Sequence, residues 1–405
     1  MSRYLLEPGN NTMSHIAKCL ALRDVLTARG HEVFVAVTAQ RAKELDRMAQ
    51  SGYIVVPDIQ EADGGPAPGF SWFRPKLLEA CVRAEAAVID ALKPDRVLGV
   101  FRFTGSLSAR LTGVSYDSLI CGSMTPACTE VLGFAPDETG VDSQAAALSF
   151  FRSACARRIA PALKALHLPP VDDVWQLLVG RHTFLWDFPE FQPLPDTPGY
   201  RHVGPLAWSG WPSPCDANLR LDRLKGPMAF VAFGTGHVPQ CLLRHLIEAL
   251  WQLGYSVALA LGGRSAGHDL PVAPERLAVF DFLPVDMTLT RASLVVCHGG
   301  QMLLFEAMQQ HVPVFVLPLQ PEQAQNGRCV ERMGCGSRLL RGIVYSGSPS
   351  DTVSAFLALS TAELAARIAE FLADGRTDHS VDRAAAVVAH YSGVEALATA
   401  LEDAS

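Results

Sequence analysis

The chain has 405 residues, a formal net charge of −7 at pH 7 and an isoelectric point near 5.9. That length exceeds what one hydrophobic core usually supports, so we expect two domains. The acidic balance, without a dense run of lysine or arginine, excludes nucleic acid or an anionic membrane surface as the main partner. The ten cysteines show no CxxC pair and no ligand-like spacing to histidine, which indicates reduced thiols. Since the sequence shows no signal-like segment and no apolar run of about eighteen residues, we expect a soluble, cytoplasmic protein without integral membrane association.

Predicted strands and helices alternate through the first half of the chain. The predicted strand Arg3–Glu7 leads into a predicted helix over Thr12–Arg29, which is followed by the predicted strand Glu32–Val37. This order begins a parallel α/β sheet, and the helix starts at the edge where such sheets bind ligands. Further helices are predicted over Arg41–Gln50, Lys76–Leu92, Gly105–Leu111 and Ser143–Ala165, and further strands over Tyr53–Ile59, Arg96–Phe101, Ser115–Ile120, His182–Phe188 and His202–Trp208.

A loop rich in glycine and proline, Glu61–Pro75, carries three aromatic residues. Because binding residues often lie on loops, Phe70, Trp72 and Phe73 are candidates for an apolar wall against an acceptor molecule. The same three rings would equally serve to pin the loop to the core. Both interpretations remain open at this point.

The segment Trp208–Pro214 combines glycine with two prolines and is interpreted as a linker, with the domain boundary at Ser213. A second alternation follows it, so the chain divides into residues 1–213, residues 214–380 and a final helix within 381–405. The predicted strands are Met228–Phe233, Ser256–Leu261, Leu277–Phe282, Leu294–Cys297 and Val312–Leu319, and the predicted helices are Gln240–Leu253, Gln301–Gln310, Ser360–Asp374 and Val381–Leu401.

The most informative stretch joins the strand Leu294–Cys297 to the helix Gln301–Gln310 through the turn His298-Gly299-Gly300. Glycines at such a junction let backbone N–H groups approach an anion, and the helix dipole adds roughly half a positive charge. The sequence therefore predicts a diphosphate site here. Glu306 lies on the helix, and Glu322-Gln323 follow the next strand, so polar groups collect at one sheet edge.

The chain resembles the UDP-glycosyltransferase superfamily, including its bacterial antibiotic and macrolide members, in two places. These are the spacing of His298, Glu306 and Glu322-Gln323 and the sequence of Ser14–Val33. The resemblance implies the α/β GT-B fold, with two facing Rossmann-like domains and a cleft between them. It implies an acceptor-binding first domain, a nucleotide-sugar-binding second domain, and a last helix that crosses back to the first. The expected reaction is inverting, metal-independent transfer of a sugar from a UDP- or dTDP-sugar to a hydroxyl of a hydrophobic, natural-product-like molecule. No cofactor beyond the nucleotide sugar is expected.

The resemblance also assigns roles to individual residues. His15 is the expected general base, a task that suits an imidazole because its ordinary pKa is near 6.5. Phe282 is expected to stack on the nucleotide base, Glu306 to bind ribose, and Glu322 with Gln323 to bind the sugar hydroxyls. The residues expected to bind the donor are Gly234, Thr235, Phe282, His298, Gly299, Gly300, Gln301, Glu306, Glu322 and Gln323.

The chain departs from the family pattern at two places. No carboxylate stands at Val100–Arg102, where the family has an aspartate that orients the histidine, and Glu7 is the only substitute we suggest. Met302 and Leu303 stand where the family has a small residue followed by serine or threonine, so a phosphate-binding hydroxyl is missing. An impaired homologue that acts as a binding or auxiliary protein is therefore the alternative function, and a GT-B epimerase is a third. The sugar, the acceptor, the type of glycosidic bond and a homodimer remain open.

Overall fold

Two parallel β-sheets, one in each of two units, organise the chain. The computed structural model describes residues 1–62, 65–66, 69–211, 213–234, 238–263, 270–344, 350–374 and 377–403. Unit 1 consists of the described residues of Met1–Thr129, Ala146–Trp208 and Tyr391–Ser405. Unit 2 consists of those of Glu130–Ala145 and Ser209–His390.

The sheet of unit 1 has seven strands, all parallel, in the order β3-β2-β1-β6-β7-β8-β9, and a small antiparallel hairpin pairs β4 with β5. Its central strands are buried on both faces because helices cover them, which explains their continuous apolar runs. The strands are β1 Arg3–Pro8, β2 Glu32–Val37, β3 Tyr53–Val55, β4 Glu61–Ala62, β5 Gly65–Pro66, β6 Arg96–Val100, β7 Ser115–Ile120, β8 Thr183–Leu185 and β9 Tyr200–His202.

The helix after β1 begins where the sequence predicts. The Thr12 hydroxyl accepts a hydrogen bond from the backbone N–H of Ser14 at 3.0 Å, so it caps the first turn. The chain then turns away through Gly30, which has φ +86°. The helices of this part of the chain are α1 Met13–Ala28, α2 Ala39–Arg47, α3 Gly69–Trp72, α4 Pro75–Leu92, α5 Gly105–Thr112 and α6 Val141–Ala165, with short 3₁₀ turns at Gly122–Met124 and Val174–Leu178.

The sheet of unit 2 has six parallel strands in the order β12-β11-β10-β13-β14-β15. Its core is aliphatic and aromatic, and Leu246, Val296 and Phe315 are completely buried within it. The strands are β10 Met228–Ala232, β11 Ser256–Ala260, β12 Leu277–Phe280, β13 Ala292–Cys297, β14 Val314–Val316 and β15 Gly336–Arg338. The helices are α7 Ala217–Leu221, α8 Gln240–Gln252, α9 Val285–Leu289, α10 Gln301–Gln309, α11 Pro321–Met333, α12 Ser350–Leu357, α13 Thr361–Ala373 and α14 Thr377–Val388.

A segment from the first half of the chain belongs to unit 2. The backbone N–H of Gly133 donates to Oε1 of Gln325 at 3.1 Å, and the Arg338 guanidinium donates to the Gly133 carbonyl. Glu130 forms an ion pair with Arg332 at 3.0 Å. The sequence assigned this segment to residues 1–213 and placed the boundary at Ser213, a few residues beyond the observed division.

The end of the chain forms two helices, whereas the sequence predicted one over Val381–Leu401. Helix α14 belongs to unit 2, and helix α15, Gly393–Asp403, belongs to unit 1 and packs on α1. Helix α14 ends at Val388 and α15 begins at Gly393, which packs so close to Pro205 that a Cβ on Gly393 would be 1.7 Å from the Pro205 carbonyl oxygen. Ion pairs from Glu402 to Arg29 at 2.6 Å and to His31 at 2.8 Å then hold α15 against α1.

By length and composition alone, the stretch Thr377–Asp403 is apolar enough to cross a membrane, with a mean hydropathy of 1.3. It is not a continuous run of about eighteen apolar residues, because polar residues such as His390 and Ser392 interrupt it. The apolar side chains of the two helices, such as Val388, Leu397 and Leu401, are buried inside their units. Packing therefore accounts for the hydropathy of this stretch.

Candidate active site

The glycine turn of unit 2 connects the end of β13 to the start of α10. Gly299 has φ +94°, and a Cβ at this position would lie 2.8 Å from the carbonyl oxygen of Gln323. Only glycine fits both the backbone angle and the space. Gly300 caps α10 without a side-chain hydrogen bond, so the first-turn amides face outward with the positive end of the helix dipole. This turn is suited to hold a phosphate group without a metal ion.

The turn is tied to α11 by Asn326, a buried residue that sequence reasoning missed. Its Nδ2 donates to the Gly299 carbonyl at 2.8 Å and to Oε1 of Glu322 at 2.5 Å, and its Oδ1 accepts from Nε2 of Gln301 at 2.9 Å. Four polar groups therefore fix one another around the anion site. A signal for Asn326 was present in the sequence, since it lies one helical turn after Glu322 and so on the same helix face.

The ring of His298 lies close to two glycines, Gly300 at the start of α10 and Gly234 after β10. A Cβ on Gly300 would lie 2.8 Å from its Nε2, and a Cβ on Gly234 would lie 3.1 Å from its Cε1. The ends of β10 and β13 are therefore adjacent, with small residues under an imidazole that can donate to an anion. Thr235, the other residue predicted at this strand end, lies outside the described residues.

The remaining predicted donor residues lie near the same sheet edge. Phe282 follows β12 and is 41% exposed, with its ring against Gly263, so a flat apolar face is open to a nucleotide base. The side-chain carbonyl of Gln323 accepts from the backbone N–H of Leu319 at 2.8 Å, which fixes this residue at the end of β14. Glu306 follows the glycine turn on α10 and is half-buried.

His15 lies in the first turn of α1, at the carboxyl edge of the sheet of unit 1, and is 7% exposed. Its Nδ1 is 3.1 Å from the carbonyl oxygen of Gly9. Because a carbonyl only accepts, Nδ1 carries the proton in this hydrogen bond, and Nε2 keeps its lone pair. Burial, followed by the nearby charge of Lys18, lowers the pKa of His15 to about 3. The ring is therefore neutral at physiological pH.

Two aromatic rings pack against the imidazole. The ring centroid of Phe101, directly after β6, lies 5.1 Å from that of His15, and the centroid of Trp186, directly after β8, lies 5.7 Å from it. The planes of the Phe101 and Trp186 rings are tilted by 32° and 34° relative to the plane of the imidazole. We call His15, Phe101 and Trp186 the ring cluster.

Aromatic residues of the segment Glu61–Pro75 pack near the ring cluster through Phe103. Phe103 contacts Phe101 at 5.5 Å, Phe73 at 5.1 Å and Trp72 at 6.3 Å, and Phe70 lies on the same side of the unit against Phe151. Phe73 is completely buried, so in this structure its ring is part of the core, which is the packing alternative. Phe70 and Trp72 are half-buried and keep the role of an acceptor wall as a prediction.

The turn that carries His15 is braced by a buried charge network. The backbone N–H of Asn10 donates to Oδ2 of Asp58 at 2.7 Å, and Asp58 is paired with the Arg102 guanidinium. Arg102 also donates to Glu85 at 2.5 Å and to the Pro8 carbonyl at 3.1 Å. Each buried charge therefore has an opposite charge beside it, which a desolvated ion requires.

Several known proteins resemble this chain in sequence or in fold. No family model matches the chain. A PGL/p-HBAD biosynthesis rhamnosyltransferase from Mycobacterium bovis is 28% identical over 342 residues, covering 80% of this chain and 74% of that protein. The solved glycotransferase of kitacinnamycin has a TM-score of 0.72 at 18% identity, covering 100% of this chain and 99% of its own. A spinosyn rhamnosyltransferase solved with thymidine diphosphate has a TM-score of 0.65 at 17% identity, covering 99% of this chain and 100% of its own.

The chain is a glycosyltransferase of the GT-B fold. The kinship with bacterial natural-product glycosyltransferases and the fold class expected from the motifs are thereby confirmed. Within this glycosyltransferase, the described residues contain no group of three or more histidine, cysteine, aspartate or glutamate side chains arranged to hold a metal ion.

The glycosyltransferase has no carboxylate in the place that the resemblance assigns to one. After β6 the side chain of Phe101 meets the His15 ring, while Arg102 turns to the buried charge network. Glu7, suggested from the sequence as a substitute, is 1% exposed, and neither of its oxygens has a hydrogen-bond partner. Burial, followed by repulsion from Glu85, raises the pKa of Glu7 well above its ordinary value. Burial therefore favours the protonated form of Glu7, and the side chain makes no hydrogen bond that could orient His15 in this structure.

The second departure lies in the first turn of α10 of the glycosyltransferase. Met302 is half-buried and Leu303 is buried, so neither offers a hydroxyl beside the glycine turn. A hydrogen bond to a charged group contributes about 1.5–3 kcal/mol, so a bound diphosphate depends more heavily on the backbone amides. The glycine turn and Asn326 therefore carry most of the expected anion binding.

Proposed function

We propose that this glycosyltransferase transfers a sugar, with inversion and without a metal ion, from a UDP- or dTDP-sugar to a hydroxyl of a hydrophobic small molecule. His15 is the proposed general base. The observation that carries the proposal is the hydrogen bond from Nδ1 of His15 to the Gly9 carbonyl, which leaves Nε2 as a proton acceptor on a neutral ring. The protein is proposed to work in the cytoplasm.

The proposed chemistry balances without a redox partner. Nε2 of His15 takes the proton of the acceptor hydroxyl while its oxygen forms a bond to the anomeric carbon. The bond from that carbon to the diphosphate oxygen breaks, and the nucleoside diphosphate leaves with the electron pair. Attack from the side opposite the leaving group inverts the configuration. His15 then returns its proton to solvent.

The glycine turn supports the donor half of the proposal. Negative charge grows on the diphosphate as the bond to the sugar breaks, and amide donors with a helix dipole stabilise such charge in a fixed geometry. The contacts of Asn326 with Gly299 and Gln301 hold those amides in place before the substrate arrives. A solved structural relative binds thymidine diphosphate, which favours a dTDP-sugar among the candidate donors.

The acceptor half rests on the aromatic residues near His15. Phe70 and Trp72 are half-buried, and Phe101 brings a third ring to the base itself. Such a surface favours an acceptor with apolar or aromatic character, oriented by few polar groups. The expected acceptor is therefore a moderately hydrophobic alcohol or phenol.

The test begins with melting temperatures measured in the presence of UDP, dTDP, UDP-glucose and dTDP-rhamnose. A ligand at a hundred times its Kd stabilises the folded state by about 2.7 kcal/mol, so binding is readily seen. We expect a shift with at least one nucleotide, transfer to a panel of hydrophobic hydroxyl compounds, a product of inverted configuration by NMR, and an unchanged rate in EDTA.

The outcomes separate the candidates. The absence of a shift with every nucleotide would contradict the donor site. Binding without transfer or donor hydrolysis would favour the impaired homologue, for which the missing hydroxyl at Met302 and Leu303 is the specific observation. Retained configuration, or loss of activity in EDTA, would contradict the proposed mechanism while leaving the donor site intact.

A further inference from the structure

His15 lacks the partner that usually fixes a catalytic imidazole. Within the part of the chain that the structure describes, its hydrogen bond runs to the Gly9 carbonyl and none runs to a carboxylate. One hydrogen bond at Nδ1 selects the tautomer but leaves the ring free to turn about that contact. Something else must set the direction of Nε2, because a general base has to lie within hydrogen-bond reach of the proton it removes.

The aromatic neighbours of His15 meet this requirement. Phe101 and Trp186 come from two different strand ends, β6 and β8, and both lie within 6 Å of the imidazole centroid. Rings at such distances and moderate tilt make offset contacts that depend on orientation. A rotation of the imidazole out of the ring cluster would lose contact with both.

Phe101 is held in an unusual backbone conformation to make this contact. Its φ is +52°, in the left-handed region that is strained for a residue with a Cβ. Its carbonyl oxygen would lie 2.5 Å from a Cβ on Gly9, so the two turns are packed directly against each other. The strained backbone conformation therefore occurs at Phe101 itself, the residue whose side chain contacts His15.

Trp186 is likewise fixed from more than one side. Its backbone N–H donates to the Ile120 carbonyl at 3.1 Å, and Nζ of Lys18 lies 4.6 Å from its ring centroid, over the indole. Lys18 is one turn beyond His15 on α1. The indole is thus bound to the same helix that carries the base, through a cation–π contact and a ring contact.

We infer that Phe101 and Trp186 are positioning residues, which fix the orientation of the His15 imidazole in place of the carboxylate that the chain lacks. The inference rests on the proposed role of His15 as the base. It assigns to two aromatic side chains the task of setting ring geometry, while the Gly9 carbonyl sets the tautomer. The base is thereby kept neutral, with no negative charge beside it.

The test compares Phe101→Leu and Trp186→Leu with the matched variant Phe103→Leu. Phe103 is buried and contacts Phe101 but makes no described ring contact with His15, so its loss leaves a similar cavity. We expect kcat to fall about 10- to 100-fold in the first two variants, since small misplacements of a catalytic group have effects of this size. The KM for the donor and the kcat of Phe103→Leu should stay within about threefold of wild type. Equal kcat in all three variants would overturn the inference.

Conservative variants keep the test valid if the leucine variants fold poorly. Trp186→Phe and Phe101→Tyr retain a ring and should recover most of kcat, whereas a loss as large as in the leucine variants would overturn the proposed role of the rings. The second readout is the ¹⁵N NMR signature of the His15 side chain. We expect the wild-type ring to stay in one neutral tautomer between pH 5 and 8. The leucine variants should show averaging of both tautomers, because an imidazole that turns out of the ring cluster also leaves the Gly9 carbonyl, which selects the tautomer.

The NMR measurement needs no substrate, so it separates this inference from the proposed function. If the wild-type protein transfers no sugar to any acceptor, the proposed function fails even though the ring signature is as expected. If transfer proceeds but the wild-type His15 ring shows mixed tautomers, the positioning role fails and the function stands.

Discussion

The two half-sites of this glycosyltransferase are built from different parts of the polypeptide. Around His15 the work is done by side chains: two aromatic rings, a buried charge network and an imidazole whose pKa burial lowers to about 3. Around the glycine turn the groups that we expect to face a ligand are backbone amides, and the side chain of Asn326 holds the backbone in place. The first half-site depends on residue identity at distant positions, and the second depends on local conformation.

This difference has a consequence for variants. A side-chain site fails when one functional group is removed, while a backbone site fails when a side chain is added or a brace is lost. Variants of the two half-sites should therefore differ in what they lose, and replacement of a side-chain functional group should cost the most activity.

Replacement of the base should have the largest effect. His15→Ala removes the proton acceptor, and general base catalysis contributes about 10²- to 10⁴-fold, so kcat should fall by that factor. The melting shift caused by nucleotide should be unchanged, because His15 belongs to unit 1 and the glycine turn to unit 2. His182→Ala is the control, since His182 is bonded to Asp117 at 3.0 Å, away from the ring cluster, and should keep wild-type rates. A rate for His15→Ala within tenfold of wild type would contradict the role of the base.

Adding a methyl group to the glycine turn should have the next largest effect. Gly299→Ala combines a strained φ of +94° with a Cβ only 2.8 Å from the Gln323 carbonyl, so the turn must shift. We expect nucleotide affinity, measured by calorimetry, to fall at least about tenfold, equivalent to 1.4 kcal/mol. The matched variant Gly254→Ala has a similar φ of +84° but no atom within 4 Å of the new Cβ. It should lose stability but not affinity, and equal affinity loss in both would contradict the prediction.

Removing the brace should weaken binding more moderately. Asn326→Ala leaves the Gly299 carbonyl and Gln301 without their buried partner, and an unsatisfied buried group costs about 1–3 kcal/mol. Part of that cost will appear as lower stability, and we expect about a three- to tenfold loss of nucleotide affinity. The exposed Asn218, also in unit 2, provides the control, and Asn218→Ala should change neither quantity. Unchanged affinity in Asn326→Ala would show that the turn holds its shape without help.

The last prediction, with the smallest expected effect on catalysis and nucleotide binding, concerns stability and pH. The folded-state pKa of Glu7 is raised by burial above its ordinary 4.5, so between these two values the folded protein holds a proton that the unfolded chain releases. Wild-type stability then falls as pH rises, by up to about 1.4 kcal/mol per pH unit. Glu7→Gln lacks this dependence, so it should be more stable than wild type at pH 7.5, with the difference vanishing near pH 4.5. Denaturant unfolding at several pH values measures this, with Glu79→Gln, an exposed ion-pair variant, as a control that should show a flat difference.

The sequence contained enough information for the donor half-site and too little for the ring cluster. Glycines with a positive φ, a short apolar strand and a helix start are local features, so His298, Gly299 and Gly300 could be predicted from a single stretch. The contacts of Phe101 and Trp186 with His15 join three strand ends that are far apart in the chain, and no local pattern encodes them. The sequence showed only that the expected carboxylate was missing, not what replaced it.

Two further differences have the same origin. Helix α14 belongs to unit 2 and α15 to unit 1, a tertiary arrangement that helical periodicity cannot reveal. Asn326 was overlooked because an amide inside a helix is ordinarily a surface residue, and its burial follows only from the packing of α11 against the glycine turn. Local structure such as the strand, glycine turn and helix at His298 is therefore present as predicted, whereas features that depend on tertiary contacts were missed. The donor-binding roles of these residues stay predictions.

The docking of α15 on α1 has a consequence for synthesis of the protein. The ribosome makes α1, with His15, before unit 2, and makes α15, which packs on α1, after unit 2. All of unit 2 is complete by His390, so it can fold while unit 1 still waits for its last helix. A truncated or prematurely terminated chain would therefore expose the helix that carries the base, leaving Arg29 and His31 without the acidic partner Glu402. The helix that carries His15 is therefore covered by α15 only after unit 2 has been synthesised.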